Sequence, residues 1–173
     1  MASDIKTKYP STSSVAITAT GLASLASDTT LLAGWELAAV DNTSNLDIDH
    51  LVSGMITTGT TPTVSTRIEV WAYASWKTAS GTPSYPDVLD GTDSAETLTS
   101  ANVKNGMLRL VASLTVDATT ARAYYFAPVS IASLFGTMPK FWGLFIVHNT
   151  AVNLNATGGN HMIEYERIQA QTV

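Results

Sequence analysis

Lys140-Phe141-Trp142-Gly143-Leu144-Phe145-Ile146-Val147-His148 decides the fold class. Read with a two-residue period, Phe141, Phe145 and Val147 fall on one face and Trp142, Leu144 and Ile146 on the other. Both faces are apolar, which predicts a central strand buried on both sides. A second stretch, Arg67-Ile68-Glu69-Val70-Trp71-Ala72-Tyr73-Ala74-Ser75-Trp76, sets Ile68, Val70, Ala72 and Ala74 against Glu69, Trp71 and Tyr73. Two such strands need a sheet around them, and the rest of the chain supplies candidates.

Working outward, short β-like runs alternate with turn clusters. Val15–Thr20 is one run. Leu31–Val40 follows, broken by Gly34 and closed by Asp41-Asn42-Thr43-Ser44-Asn45. In Leu46–Thr57, alternation places Leu46, Ile48, His50, Val52 and Ile56 on one face and Asp47, Asp49 and Ser53 on the other. Met107–Val116 and Ala123–Val129 are further strands, and Asp117-Ala118-Thr119-Thr120 between them suits a hairpin. Ser130–Phe135 reads as one helical turn, stopped by Gly136 and Pro139. His161–Gln171 is the last strand. A long loop from Lys77 to about Asn102 holds Gly81, Pro83, Pro86 and Gly91, and loops of this length are usually functional or ordered by a partner. No long helix-period stretch and no fixed repeat is present. These observations predict an all-β fold, an antiparallel jelly-roll sandwich of about eight strands. Residues 1–13 are expected to be an extended N-terminal arm, and residues 14–173 a single sandwich domain.

Composition narrows the function. The chain has 173 residues, 45% of them hydrophobic, so it can bury a core without staples. Charged residues make up 13%, while Ser and Thr together make up roughly a quarter. Hydroxyls cost less to desolvate than ammonium or carboxylate groups, so such a surface suits assembly. The net charge of −5 and the scattered Lys and Arg argue against nucleic acid as a partner. There is no cysteine, hence neither a disulfide nor a thiolate metal site. No apolar run approaches a membrane span, and Met1–Pro10 lacks the apolar core of a secretion signal; synthesis in a reducing cytoplasm is expected.

Candidate chemistry is sparse. Asp49 and His50 lie on opposite faces of a regular strand and cannot share a metal. His148 and His161 lie near each other if their strands pair as a hairpin, but a His pair without a nearby carboxylate is a poor zinc site. The loop Pro86–Glu96 holds Asp87, Asp90, Asp93 and Glu96 beside Gly91, but its spacing is not that of a calcium-binding EF-hand, and Asp-Gly is itself a turn signal. No activated nucleophile or phosphate loop is legible. The sequence therefore predicts neither catalytic residues, nor a metal, nor a cofactor. Trp71, Tyr73 and Trp76 are the candidate ligand or interface aromatics, with burial in the sandwich core as the bland alternative. Ile5 and Tyr9, with Pro10 as a stiff hinge, are the candidate assembly contacts of the arm. The arm is expected to lie on another copy or on a shell, not on its own sandwich.

Several stretches together carry a resemblance. They are Asp4-Ile5-Lys6-Thr7-Lys8-Tyr9, Leu22–Ser27, Ala39–Leu46, Ile68–Tyr73, Asp90-Gly91-Thr92-Asp93, Pro139–Gly143, Ala156–His161 and the final run Tyr165–Val173. In tone and order the chain resembles small virion proteins of tailed bacteriophages and prophages, the jelly-roll capsid decoration (cement) type among them. The resemblance implies a non-enzymatic virion component, made in the host cytoplasm and assembled on the outer capsid surface. Its partners would be the major capsid protein and further copies of itself, a trimer being the simplest for three-fold sites. The alternative reading is a carbohydrate- or receptor-binding sandwich of a tail or fibre.

Overall fold

The computed structural model describes residues 4–75 and 82–172, which form a sandwich of two antiparallel sheets, jelly-roll-like as expected. The strands are β1 (Ile5–Lys8), β2 (Ser14–Ile17), β3 (Ala33–Glu36), β4 (Val40–Asp41), β5 (Asp49–Thr57), β6 (Arg67–Ala74), β7 (Ser94–Thr97), β8 (Arg109–Thr115), β9 (Ala123–Ser130), β10 (Phe141–His148) and β11 (Met162–Thr172). The first sheet runs β1-β11-β5-β9, with β2 also on β11. The second runs β7-β3-β10-β6-β8, with β4 also on β10. The count exceeds the predicted eight because β1, β4 and β7 are too short to show a period.

β10 is central, as its two apolar faces require. Trp142, Leu144 and Ile146 enter the main core with Ile68, Val70 and Ala72 of β6; Val52, Ile56, Phe126 and Ile163 come from the facing sheet. The opposite faces of β10 and β6 make a second core of Phe145, Val147, Trp71 and Tyr73, covered by Leu31, Leu89, Leu98 and Leu108. The described part of the long loop, from residue 82 onward, is thus ordered by its own chain. It contains β7 and runs into α1 (Ala101–Met107), whose Ser100 side chain caps the Val103 amide. A seven-residue helix is too short to reveal a hydrophobic period. α2 (Ile131–Phe135) lies where the helical turn is expected, with Ser130 as its N-cap and Gly136 at φ 80° closing it.

Three expectations are corrected. β8 and β9 do not form a hairpin: β8 pairs with β6 in one sheet and β9 with β5 in the other. The connecting corner is fastened by Asp117, which accepts from Arg122 and from the Tyr124 hydroxyl. Likewise β10 and β11 lie in different sheets, so His148 and His161 do not come from a hairpin. The arm is extended, but β1 pairs with the end of β11 in its own sheet, Ile5 opposite Thr172 and Lys8 opposite Gln169. Backbone groups on a free sheet edge find the nearest unpaired edge, and here that edge is in the same chain. Ile5 and Tyr9 remain exposed and Pro10 is half-buried.

Candidate functional site

The phase of Leu46–Thr57 shifts at its start. Leu46 takes φ 52°, a left-handed turn conformation, and the strand begins only at Asp49. Asn42 holds this turn at both ends of one residue, its amide donating to the Asp47 carbonyl and its side-chain oxygen accepting from the Asp47 amide. Leu46 and Ile48 consequently point to solvent, and Asp47 turns inward to full burial, the reverse of the predicted alternation.

Asp47 is the centre of the most connected polar cluster. His50 Nε2 lies 2.9 Å from Asp47 Oδ2, and Trp142 Nε1 donates to His50 Nδ1 over 2.9 Å. Because the indole can only donate, Nδ1 accepts, and the proton of neutral His50 sits on Nε2 and goes to Asp47. Arg167 Nε donates to Asp47 Oδ2 over 2.8 Å and its Nη2 to Oδ1 over 3.2 Å, while Gln169 Nε2 donates to Oδ1 over 2.8 Å. Burial alone would raise the Asp47 carboxyl; Arg167, His50 and Gln169 outweigh it and hold the carboxyl below its usual range. Burial is the largest influence on His50 and lowers it.

This pairing has the carboxylate–imidazole half of a catalytic triad, but the nitrogen that would take a nucleophile's proton is filled by Trp142. A base must have a free lone pair within reach of the proton it abstracts, and His50 has none. A groove of 520 Å³ opens beside the cluster, lined by Leu46, Ile48, Met138 and Pro139 among others, and Asp47 meets it with both oxygens already engaged. The cluster therefore locks β5, β10 and β11 to each other across the sandwich.

The other histidines are similarly committed. His148 Nε2 lies 3.0 Å from the Leu25 carbonyl and Nδ1 3.0 Å from the Thr150 hydroxyl. His161 Nε2 lies 2.9 Å from the Asn155 carbonyl, and Nδ1 accepts from the Thr57 amide. Burial is the largest cause holding each of them below 6.5. The sign of the linkage is then fixed: below about pH 6.5 the unfolded chain binds protons that the folded chain refuses, so stability falls with pH. Urea midpoints should be level above about pH 7 and should decline between roughly pH 6.5 and 5, before the carboxylates titrate. Asp47 and Glu69, both lowered, extend the loss below 4.5, whereas Glu36, raised chiefly by burial, takes up its proton above 4.5 and works in the opposite direction in that range. A midpoint that stays level to pH 5 would contradict this assignment of buried neutral imidazoles.

The acidic loop has internal duties as well. Asp87 accepts from the Thr99 amide, Asp90 from the Thr92 amide and hydroxyl, Asp93 from Trp35 Nε1 and Glu96 from the Ser94 hydroxyl. The loop is held down by Glu36, fully buried, which accepts from the Asp90 and Gly91 amides. Among the described residues no group of three or more His, Asp or Glu side chains is placed to hold a metal ion.

Trp71 and Tyr73 are not a ligand platform. They lie 8% and 0% exposed in the second core, where Trp71 Nε1 donates to Glu69 and the Tyr73 hydroxyl to the Leu37 carbonyl. Gly143, opposite Tyr73 on β10, leaves room for that ring: a Cβ there would collide with the phenol. Trp76 lies outside the described residues. An exposed aromatic on the sandwich body is instead Tyr125 of β9, 69% exposed, aligned across the first sheet with Met55 and then with Met162, 48% exposed. Its signal was available in the sequence, because Tyr124 and Tyr125 must face opposite ways on a strand.

In comparisons with known proteins, no family model matches the chain, and neither does a curated protein or a solved structure. No helix among the described residues is long and apolar enough to cross a membrane.

Proposed function

We propose that this chain is a non-enzymatic structural protein of a tailed-bacteriophage virion, a capsid decoration (cement) protein that binds the outer surface of the shell of major capsid protein. The family resemblance of the sequence brings the virion into this reading. The supporting observation in the fold is the asymmetry of the two sheets. The outer face of the second sheet is covered by Leu89, Leu98 and Leu108 from the loop and α1 region, while among the described residues no loop or helix forms a second core on the outer face of the first. That face carries the row Met162, Met55 and Tyr125, then Ser53 and Leu51, and the charges along it are Glu164, Glu166 and, at the start of β5, Asp49. Both glutamates accept from serine hydroxyls, Ser14 to Glu164 and Ser13 to Glu166. A face with few charges and protruding apolar side chains is the kind of surface that marks a protein contact.

Repeated over a shell, many such weak contacts add up. Purified protein mixed with undecorated, expanded capsids should co-sediment at micromolar concentration and saturate at a stoichiometry matching the shell's symmetry. Tyr125→Lys should weaken binding roughly tenfold, as loss of a central aromatic anchor does. Failure of the unmodified protein to co-sediment would overturn the reading. The carbohydrate- or receptor-binding alternative loses Trp71 and Tyr73 to the second core, and saturable quenching of fluorescence by host polysaccharide would be its sign.

A further inference from the structure

The last residues of β11 leave the sandwich. Met162–Ile168 pair with β5, but Gln169–Thr172 pair, among the described residues, with β1 alone. β1 and Gln169–Thr172 therefore make a two-stranded ribbon beyond the body of the protein. All four residues of β1 are exposed, as are Ala170, Gln171 and Thr172. Directly opposite residues of an antiparallel pair share a face. The register puts Ile5, Thr7, Ala170 and Thr172 on one face, and Lys6, Lys8, Gln169 and Gln171 on the other. The ribbon is thus patterned as a half-buried sheet, small and apolar on one side and polar on the other, yet nothing among the described residues covers the apolar side; Ile5 is 78% exposed. A lone two-stranded ribbon is marginally stable, and among the described residues each of its outer edges is a row of backbone groups without a strand partner.

We infer that the ribbon is a self-assembly element, in which the β1 edge of one copy pairs with the Gln169–Thr172 edge of the next. The occupant of each edge is the unlike edge of a second copy. Charge selects this over like-edge pairing. An antiparallel β1–β1 pair in a register that keeps Ile5 and Thr7 on one face sets Lys6 against Lys6 or Lys8, whereas the β11 edge offers Gln169, Ala170, Gln171 and Thr172, with no charge. Strand direction agrees, since β1 and β11 alternate in direction and unlike edges meet antiparallel. Unlike-edge contacts are head-to-tail and close into a ring when the rotation permits. In such a ring no edge is left over, Ile5 and Ala170 face the axis, and the lysines face water. Three copies would make a six-stranded collar. The inference deepens the shell-protein reading by naming its oligomer contact, and it rests on the homo-oligomeric part of that reading alone.

The test uses the purified full chain without capsids, so its failure is distinct from a failure to decorate. Light scattering should show a closed oligomer at tens of micromolar, and Ile5→Lys should lower the association constant roughly tenfold or more without moving the thermal transition of the dissociated subunit. The absence of native cysteine permits a second readout. Thr7→Cys and Ala170→Cys, made in separate chains and mixed under mild oxidation, should yield the mixed disulfide dimer, because a single chain of either kind cannot cross-link to itself. A monomer by light scattering overturns the inference. So does an Ile5→Lys protein that associates normally, or efficient disulfide formation by the Thr7→Cys chain alone, which would show like edges meeting.

Discussion

Asp47→Ala should destabilise the protein by about 3–5 kcal/mol, the range for stripping one partner from a buried ion pair. The substitution leaves the His50 Nε2 proton, the Arg167 guanidinium and the Gln169 amide without the acceptor they share. Arg167 is the most costly of these, because its side chain is 16% exposed and water restores little of its solvation. For a chain of this size the loss corresponds to a fall in melting temperature of roughly 6–20 °C. Asp47→Asn separates charge from shape: it keeps the volume and one acceptor, so a loss close to that of the alanine variant assigns the effect to charge. Chemical denaturation with an unchanged m-value reads the difference. Hydrogen exchange should also quicken at Gln169–Thr172, since Gln169 ties the root of the β1/β11 ribbon to the cluster. A loss below about 1 kcal/mol would mean that the cluster is not the lock between sheets that its geometry describes.

Glu69→Ala should cost a similar amount, about 3–5 kcal/mol, for a different reason. Glu69 sits beneath the covering loop and accepts from Lys104 Nζ over 2.8 Å, from Trp71 Nε1 over 2.9 Å and from Arg67 Nε. Together these hold its carboxyl below the usual range against burial, which acts to raise it. Lys104, on α1, is 5% exposed and, among the described residues, has beyond Glu69 only the Leu31 carbonyl and the face of Trp71, 5.1 Å away. Without Glu69 its ammonium group is buried and uncompensated. The predicted first consequence is release of α1 and the loop from the second core, visible as a red shift of Trp71 emission before global unfolding. A compensating change identifies the cause: adding Lys104→Met to Glu69→Ala should recover much of the loss, because an apolar pair often replaces a buried ion pair at little cost. If the double variant is as unstable as the sum of its parts, the ion pair is not the reason.

The aromatics show how far the strand period carries and where it stops. Alternation separates Trp71 and Tyr73 from Ile68, Val70 and Ala72 correctly, and the structure keeps that division. Period alone does not say whether the second face meets water, a ligand or another part of the chain. Here it meets Leu89, Leu98 and Leu108, which arrive from 16 or more positions away through and just beyond a loop whose length and Pro and Gly content read as functional or ordered by a partner. The same limit applies to the β8–β9 connection. A four-residue turn is compatible with a hairpin and with a corner between sheets, and the corner is chosen by Asp117, Arg122 and Tyr124 bonding across it.

By itself, the sequence determined the class: an all-β sandwich with β10 at its centre, because two apolar faces at period two have no other stable placement. It also determined the α2 turn, through a Ser cap and a Gly stop, and the short reach of any single strand, through its spacing of turn residues. Only the tertiary structure decided which face is free and which polar groups are spent. Asp47 reads as a surface carboxylate until Leu46 turns left-handed and rotates it inward, where Arg167 and Gln169 come from 120 or more residues away to meet it. The arm reads as a contact for another copy or a shell until β1 meets the far end of β11. Both outcomes rest on partners distant in the chain, whose contribution appears only once the loops between them have closed, and local pattern carries no record of that closure.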